Sequence, residues 1–328
     1  MKCLNGVLSD NRSLIDGASP MLNIGLYLTT VLIWGTTWIA IKLQLGEVAV
    51  QASILYRFTL AAVVLFVILL LARRLQKLKM SDHLFCFLQG CCLFCFNFLC
   101  IYSATGYISS GLMSVIFSMA TVMNVINNRI WFGQTPALRT LLGSTLGLSG
   151  VGCLFWPEIM TDGFSTGDIN SDVLLGMGFA ALGTWFFSSG NMVSVRHQKK
   201  GLKTPTTNAW GMLYGVLMMS IIVMIQGVPL TFSLEEGYIG SLVYLAIPGT
   251  VIGFTAYLML VGRIGADKAA YSTVMFPAVA LTVSTFYEGY QWTLLSIIGF
   301  LLVVLGNVMI FARWPGSKIP AFLRRLQA

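Results

Sequence analysis

Few side chains in this sequence have the types and spacing that metal or redox chemistry requires. Five of the seven cysteines (Cys86, Cys91, Cys92, Cys95 and Cys100) stand in one apolar run. A zinc or iron–sulfur site needs deprotonated thiols within a polar shell, and no histidine lies between the first and the last of these cysteines. We therefore interpret them as small hydrophobic residues and expect no metal site and no structural disulfide.

Catalytic motifs are also missing from the sequence. It contains no HExxH motif and no nucleotide-binding loop that ends in Gly-Lys. The two histidines, His83 and His197, fall at the ends of apolar runs, so we expect neither to be buried. A membrane enzyme needs a nucleophile, an acid–base pair or a metal cluster. We therefore predict no enzymatic activity and no cofactor.

The composition indicates a membrane protein. Apolar residues make up 56% of the 328 residues, charged residues make up 10%, and the mean hydropathy is +0.81. A soluble domain carries roughly 25% charged residues, so soluble domains of this composition would lack the charges to cover their surfaces. The formal charge of +8 is spread over short gaps between apolar runs, which favours a cytoplasmic membrane face over a nucleic-acid partner.

Ten apolar runs are long enough to cross a bilayer as helices, which takes about 20 residues. They cover residues 22–43, 51–72, 83–103, 108–131, 137–156, 173–195, 206–227, 237–260, 267–287 and 292–312. We predict an all-α integral membrane protein with ten transmembrane helices. Its predicted parts are a tail (1–21), five spans (22–156), an external polar linker (157–172), five more spans (173–312) and a second tail (313–328).

Basic residues predict the orientation of these spans. With the N-terminus inside, 18 of the 20 Lys and Arg residues lie on the inner side, and only Lys42 and Arg57 lie outside. Because inner loops are enriched in basic residues, both termini are predicted to be cytoplasmic. In the second tail, apolar residues at helical spacing accompany Arg324 and Arg325, which predicts a short amphipathic helix on the inner membrane surface.

The two halves of the sequence repeat each other at an offset of 156 residues. The matching pairs are Phe98 and Phe254, Gly106 and Gly262, Ile108 and Ile264, Met119 and Met275, Gly133 and Gly289, Leu138 and Leu294, Gly143 and Gly299, and Gly150 and Gly306. Spans 3 to 5 therefore correspond to spans 8 to 10, and each unit has five spans. Because five is odd, the second unit enters the membrane in the opposite sense, as in the inverted repeats of many secondary transporters.

Several stretches resemble the drug/metabolite transporter superfamily, in particular bacterial ten-helix permeases with two EamA-type domains. They are "WGTTWIAIK" from Trp34, "YRF" from Tyr56, "GYISSGLMSVIFSMATVM" from Gly106 and "GRIGADKAAYSTVMFPAVALTVSTFYEG" from Gly262. Where the family often ends its fourth span in Gly-Glu, this chain has Gly133-Gln134. The resemblance covers nearly all of residues 22–312. It implies export of small metabolites, often amino acids or related compounds, through a central cavity shared by both repeats.

Charged side chains within a membrane are costly and are candidates for function. Arg57 lies about 9 Å into the second span at 1.5 Å per residue, where it either lines the substrate pathway or extends to the outer interface. Lys42 ends the first span and is interpreted as an interfacial anchor. We expect these cations to pair with Glu47 or Glu288. Glu288 is the carboxylate nearest to the spans, which makes it the candidate for proton coupling.

Aromatic and amide side chains are further candidates for the pathway. Trp34 and Trp38 lie four residues apart on one helix face and either pack the core or form the wall of a cavity. Thr37 stands between them in the sequence. Asn97 either bonds between helices or faces the cavity, with Tyr102 five residues further along.

The second repeat contributes Tyr271, Met275 and Pro277, which stand in the last of the stretches that resemble the family. Met275 and its counterpart Met119 either pack the core or approach the pathway, where flexible thioethers suit apolar or aromatic substrates. Pro277 has no backbone N–H to donate and is expected to kink its helix.

These features predict a secondary transporter of the inner membrane that exports small organic solutes by alternating access. Its expected partners are a small-molecule substrate and the lipid bilayer, and it is expected to be a monomer or a homodimer. Transport is expected to be either facilitated diffusion or proton exchange through Glu288. The competing interpretation is a scaffold or lipid-processing membrane protein, whose repeat axis would be filled with side chains.

Reporter fusions test the predicted orientation. A reporter after Ala328 is expected to be cytoplasmic, and one inserted within residues 157–172 is expected to be external, because the basic residues place the two positions on opposite faces. A reporter before Met1 is the matched control and is expected to agree with the one after Ala328. If the two tails were found on different faces, the even number of spans would be wrong.

Overall fold

The computed structural model describes residues 2–133, 138–159, 171–264, 269 and 271–311. Within these ranges, helical segments that directly follow one another form ten helices, numbered here in chain order. The first five are α1 (Lys2–Lys42), α2 (Val50–Leu71), α3 (Met80–Ala104), α4 (Ser110–Ser118 followed by Ala120–Phe132) and α5 (Leu138–Ile159). The others are α6 (Ser171–Lys199), α7 (Thr204–Gln226), α8 (Glu236–Ile264), α9 (Tyr271–Tyr287) and α10 (Leu294–Phe311).

The helical content agrees with the predicted all-α membrane class. By length and composition, α1 (from Met21), α2, α3, α4, α6, α7 and α8 contain the seven candidate spans of the described residues. Shorter apolar helices cover Met275–Tyr287 in α9 and Leu294–Gly306 in α10.

The helix ends differ from the predicted spans mostly by a few residues. The largest difference is at α1, which begins at Lys2 instead of residue 22, so that most of the predicted first tail is helical. Helix α5 ends at Ile159 and α6 begins at Ser171, so each helix includes a few residues of the predicted linker. The rest of that linker (160–170) and the predicted amphipathic tail (313–328) lie outside the described residues.

Helices α3 and α8 each contain a π-helical segment. It covers Cys91–Phe96 in α3 and Leu245–Ile252 in α8, so the offset of 156 residues places the first segment inside the second. In α8 the segment contains Pro248, which has no N–H for a helical hydrogen bond. A π-helical segment changes the direction of the side chains that follow it and is frequent at functional sites. Asn97 directly follows the first segment, and Phe254 stands two residues after the second; both line a cavity among the helices.

The principal helix contacts follow the same pattern in both halves. Helix α1 packs on α8 and α9, and its counterpart α6 packs in the same way on α3 and α4. Likewise, α2 packs on α8, and its counterpart α7 packs on α3. The pairs α2–α7, α4–α9 and α5–α10 also pack together. Exchanging each helix for the one five places away in the chain leaves this set of contacts unchanged.

Helices α5 and α10 meet backbone to backbone at glycines. A Cβ atom added to Gly150 would lie 2.6 Å from the carbonyl oxygen of Gly299, and one added to Gly306 would lie 2.5 Å from that of Gly143. These four glycines are two of the pairs repeated at the offset of 156. Small residues allow helices in membranes to approach this closely, so the repeated glycines mark the contact between the last helices of the two halves.

Alanine substitutions on α5 test this contact. Gly150→Ala is expected to lower the thermal unfolding temperature in detergent, because the added Cβ must displace the backbone of α10; overpacking costs about 1–3 kcal/mol. Gly152→Ala is the control on the same helix, where an added Cβ meets nothing within 4 Å. It is expected to leave the temperature unchanged or to raise it, because Ala favours helix. Equal effects of both changes would contradict the close approach of α5 and α10.

Candidate substrate-binding site

A small cavity lies among six helices from both halves of the chain. Helix α1 lines it with Trp34, Thr37, Trp38 and Ile41, and α2 lines it with Arg57. The other lining residues are Asn97, Phe98 and Ile101 of α3, Phe117 of α4, Phe187 of α6 and Phe254 of α8. Its volume is about 30 Å³, enough for a water molecule and smaller than a metabolite.

The position of Trp34 depends on two glycines of α8. Its indole N–H donates to the carbonyl oxygen of Gly249 at 3.0 Å, and a Cβ added to Gly253 would clash with the indole ring. The hydroxyl of Thr37 donates to the carbonyl oxygen of Trp34 at 2.9 Å. The Trp34 ring therefore packs against the backbone of α8, where any residue larger than glycine at position 253 would clash with it.

Trp34 is the centre of an aromatic cluster that closes one side of the cavity. Its ring centroid lies 4.7 Å from that of Phe254, 5.1 Å from that of Tyr257 and 5.7 Å from that of Phe276. Such edge-on and tilted pairs add stability beyond the apolar area that they bury. Because α1 continues from Trp34 towards Lys42, this cluster closes the side of the cavity that faces away from Lys42.

Arg57 is buried in the cavity wall, with 2% of its surface exposed. Its Nε donates to the hydroxyl oxygen of Thr250 at 3.0 Å, and its Nη1 donates to the hydroxyl oxygen of Tyr102 at 3.4 Å. The guanidinium carbon lies 4.5 Å from the centroid of the Phe98 ring. This burial is contrary to an extension of the side chain to the outer interface.

The expected ion pair of Arg57 with Glu47 or Glu288 is absent from the described residues. The ion pairs found there join Glu288 to Lys42, and Asp82 to Arg196 and Lys200. Only Lys42 thus pairs with Glu288 as predicted. Arg57 lies beside neutral hydroxyl groups and an aromatic ring instead, because its side chain points between α3 and α8.

Tyr102 extends the contacts of Arg57 to the end of α1. Its hydroxyl donates to Oε1 of Gln44 at 2.6 Å, and Gln44 is buried. The hydrogen bonds from Arg57 to Tyr102 and from Tyr102 to Gln44 connect α2 and α3 with the turn that follows α1. It closes the cavity on the side that faces Lys42.

Trp38 and Asn97 bring further polar groups to the cavity. The indole N–H of Trp38 is buried and has no acceptor in the described part of the chain, although the ring packs edge-on against Phe117 with centroids 5.1 Å apart. Nδ2 of Asn97 donates to the carbonyl oxygen of Gly183 at 2.8 Å. Asn97 therefore bonds between helices and lines the cavity, so both alternatives for it apply.

Glu288 joins three helices at what we term the Lys42 end of the structure. Its Oε1 lies 2.7 Å from Nζ of Lys42, and it accepts hydrogen bonds from the backbone N–H and the hydroxyl of Ser110, the first residue of α4. Burial alone would raise the pKa of Glu288, but the hydrogen bonds from Lys42 and Ser110 hold this pKa below its ordinary value. Glu288 is thus anionic at neutral pH and ties α1, α4 and the end of α9 together.

A second ionic cluster lies at the opposite end of α3, termed the Asp82 end. The Asp82 carboxylate lies 3.3 Å from Arg196 and 3.5 Å from Lys200, near the end of α6. The expectation that neither histidine is buried was wrong for His197, which is 1% exposed and lies 3.8 Å from Sγ of Cys86. The reason is that α6 continues to Lys199, past its predicted end, and packs there against α3.

Three further candidates, Met119, Met275 and Pro277, are not among the lining residues of the cavity. Met119 is buried between the two segments of α4 and packs near Gly147 of α5. Met275 is 44% exposed, and Pro277 is buried inside α9, which continues through it. The side chain of Tyr271 lies outside the described residues.

Several lining residues were not among the sequence candidates. Phe98 and Phe254 are counterparts at the offset of 156, and each lies within two residues of the end of a π-helical segment. The repeat could therefore have identified them. Phe117 and Phe187 carry no such signal, since no phenylalanine stands at the matching position of the other half. They become lining residues only through helix packing.

Comparisons with known proteins agree with this architecture. The model of the EamA-like transporter family matches residues 21–156 and 174–312. The uncharacterized transporter YoaV of Bacillus subtilis is 25% identical over 294 residues, covering 87% of this chain and 96% of that protein. Protein PagO of Salmonella typhimurium is 25% identical over 286 residues, covering 86% and 90%. A solved crystal structure at 16% identity has the same fold, with a TM-score of 0.64 over 88% of this chain and 96% of its own. This chain belongs to the EamA-like transporter family.

Proposed function

We propose that this protein is a secondary transporter of the inner membrane that exports small organic metabolites, such as amino acids or related compounds, by alternating access. The observation that carries the proposal is the cavity, which is lined by side chains from both regions matched by the family model. A transporter built from two repeats has its substrate site where the repeats meet, near the middle of the membrane.

The proposal includes two inverted repeats of five spans each, with both termini in the cytoplasm. Three observations support it: the family model matches the chain twice, the helix contacts are unchanged when the halves are exchanged, and π-helical segments occur at matching places in α3 and α8. The distribution of Lys and Arg supports the orientation.

The contacts that close the cavity are of the kind that a transport cycle can break. On the Lys42 end these are the hydrogen bond between Tyr102 and Gln44 and the ion pair between Lys42 and Glu288. Away from it lie the aromatic cluster of Trp34 and, further on, the ion pairs of Asp82. In the proposed cycle, the two sets open in turn, so that the cavity widens towards one face at a time.

A scaffold or lipid-processing protein is the competing interpretation. A scaffold would have this region filled with apolar side chains, because an unpaired charge or an unpaired polar group in a protein interior is costly. Here the region contains a buried guanidinium and the buried N–H of Trp38. These groups favour a binding cavity over a packed axis.

Flux in reconstituted vesicles tests the proposed function. Purified protein in sealed liposomes is expected to release labelled metabolites from a panel of amino acids and organic acids faster than protein-free liposomes do, with saturation. Thr37→Trp is expected to reduce this flux at least tenfold because the larger ring fills the cavity. Thr282→Trp on the exposed face of α9 is the control and should retain flux. Absence of flux for every solute, in vesicles shown to be sealed, would contradict the proposal.

The role of Glu288 is tested by changing pH. Because its folded-state pKa lies below the ordinary value, its contacts stabilise the fold above the unfolded-state pKa, which is about 4.3 for Glu. That stabilisation is lost as pH falls through the lower, folded-state pKa. Glu288→Gln is therefore expected to lower the thermal unfolding temperature at pH 7, and this difference should disappear in acid.

Glu236→Gln, which changes an exposed carboxylate, is the control and should have little effect at either pH. A Glu288→Gln effect that stayed constant between pH 7 and pH 3 would contradict an ionised Glu288. In the same vesicles, accumulation driven by a pH gradient and lost in Glu288→Gln would assign proton exchange to this residue. Equilibration of the solute without accumulation, in both proteins, would assign facilitated diffusion.

A further inference from the structure

We infer that the cavity binds the carboxylate of an organic acid that has an apolar body and no amino group, with Arg57 as the counter-ion of the carboxylate. This inference rests on the proposed transport function and narrows its substrate class. It follows from the charge, the unpaired donors and the lining of the cavity.

The first observation is a buried cation with no anion beside it among the residues that the structure describes. A guanidinium inside a protein is strongly unfavourable unless an anion or several hydrogen bonds compensate for its lost hydration. Of the five N–H donors of Arg57, two donate to the described side chains, and both acceptors are neutral hydroxyls, those of Thr250 and Tyr102. The planar guanidinium matches the two oxygens of a carboxylate, so the missing partner is best supplied by a ligand.

The second observation is independent of Arg57. The indole N–H of Trp38, on α1, is buried and has no acceptor within the described ranges, and its side chain lines the same cavity. Buried donors in proteins are nearly always paired with protein, water or ligand. A water molecule could accept from Trp38 but would not neutralise Arg57. A carboxylate can do both, because it offers about four acceptor positions on two oxygens.

The walls of the cavity define the rest of the ligand. They are formed largely by aromatic and branched side chains, among them Trp34, Phe117, Phe187 and Phe254. No Asp or Glu is among the lining residues, so an α-ammonium group would be buried without a counter-ion. The same apolar body is therefore expected to bind more tightly as a carboxylic acid than as an amino acid.

Binding of an anion also affects the closure of the cavity. A carboxylate at Arg57 competes with the hydroxyl of Tyr102 for the N–H groups of the guanidinium. That hydroxyl in turn holds Gln44. The ligand thus acts on the hydrogen-bond chain that closes the side facing Lys42, and a cavity of about 30 Å³ must widen to admit the apolar body.

A monovalent anion needs no coupling ion to leave a cell. The membrane potential, negative inside, favours its exit about fiftyfold per 100 mV. An acid carrier therefore requires no deep proton relay, in agreement with a cavity whose lining residues include no carboxylate.

Equilibrium binding to the purified full-length protein in detergent tests the inference. Labelled phenylacetate is the probe, and its competitors are benzenesulfonate, phenylalanine and 2-phenylacetamide. Phenylacetate and benzenesulfonate are expected to bind with similar affinity, and phenylalanine about tenfold more weakly. The uncharged amide is expected to bind about thirtyfold more weakly, because it cannot form a charged hydrogen bond with Arg57. Equal affinity for all four compounds would overturn the inference.

Two substitutions assign the binding to Arg57 and Trp38. Arg57→Gln is expected to weaken phenylacetate binding about thirtyfold without lowering the thermal unfolding temperature, since it removes an unpaired buried charge. Arg74→Gln, an exposed position next to the end of α2, should bind as the wild type does. Trp38→Phe keeps a ring and removes the N–H, and about a tenfold loss is expected. Trp131→Phe, on the exposed side of α4, is its control.

If Arg57→Gln does not fold, Arg57→Lys and Trp38→Phe decide the matter. Arg57→Lys keeps the charge and should therefore keep the preference for phenylacetate over the amide. Trp38→Phe should weaken the binding of phenylacetate. Unchanged phenylacetate affinity in both Trp38→Phe and Arg57→Gln, or in Trp38→Phe alone where Arg57→Gln does not fold, would overturn the inference.

Flux in vesicles separates this inference from the proposed function. Benzenesulfonate is used because it stays anionic, and its efflux is expected to rise when the potential is made negative inside. Flux of phenylalanine and the amide at the rate of benzenesulfonate would overturn the substrate class while transport stands. Binding of phenylacetate that depends on Arg57, without flux of any solute, would support the acid site and refute the proposed transport.

Discussion

The buried guanidinium of Arg57 is the constraint on which the cavity depends. A charge in this position must be held by polar groups from neighbouring helices, because a membrane interior offers no water to replace them. Thr250 fulfils this role through the π-helical segment of α8: its hydroxyl donates to the carbonyl oxygen of Leu245 at 2.8 Å and accepts from Nε of Arg57. The irregular part of α8 thus supplies an acceptor that a side chain in α2 requires.

The same irregularity explains the aromatic side of the cavity. Gly249 lies in the π-helical segment and accepts the hydrogen bond of the Trp34 indole. Gly253 lies directly after the segment and leaves the space that the Trp34 ring occupies. The ring then contacts aromatic residues of α6, α8 and α9. A cation and an indole from the first half therefore depend on one short segment of the second half, so the cavity exists only where the halves are assembled.

The two ends of the structure are closed by different chemistry. At the Lys42 end, Glu288 forms an ion pair with Lys42 and accepts hydrogen bonds from Ser110, the first residue of α4. At the Asp82 end, one carboxylate is shared by Arg196 of α6 and by Lys200, which directly follows α6. In these pairs Lys42 and Lys200 are 40% and 50% exposed, whereas both carboxylates are 7% exposed. The backbones of α5 and α10 approach each other closely, which suits a fixed axis in the proposed transport cycle.

Sequence reasoning alone determined the local features of this protein. Apolar runs of about 20 residues must be helical in a bilayer, because every backbone group needs a partner within the segment. The 3.6-residue period placed Trp34 and Trp38 on one face, and the odd number of spans in a repeated unit implied an inverted arrangement. The offset of 156 residues paired the glycines of the two halves, although it did not tell which helices would meet at them.

The tertiary structure decided the partners. Arg57 and Lys42 look alike in sequence, as cations on the outer side, yet Lys42 pairs with Glu288 while Arg57 bonds to Thr250, 193 residues away. Met119 and Met275 correspond in sequence, yet one is buried and the other is 44% exposed. Helical periodicity fixes which side chains share a face, whereas the contacts between faces depend on how distant helices pack. That packing is a property of the whole assembly, and no short stretch of sequence contains it.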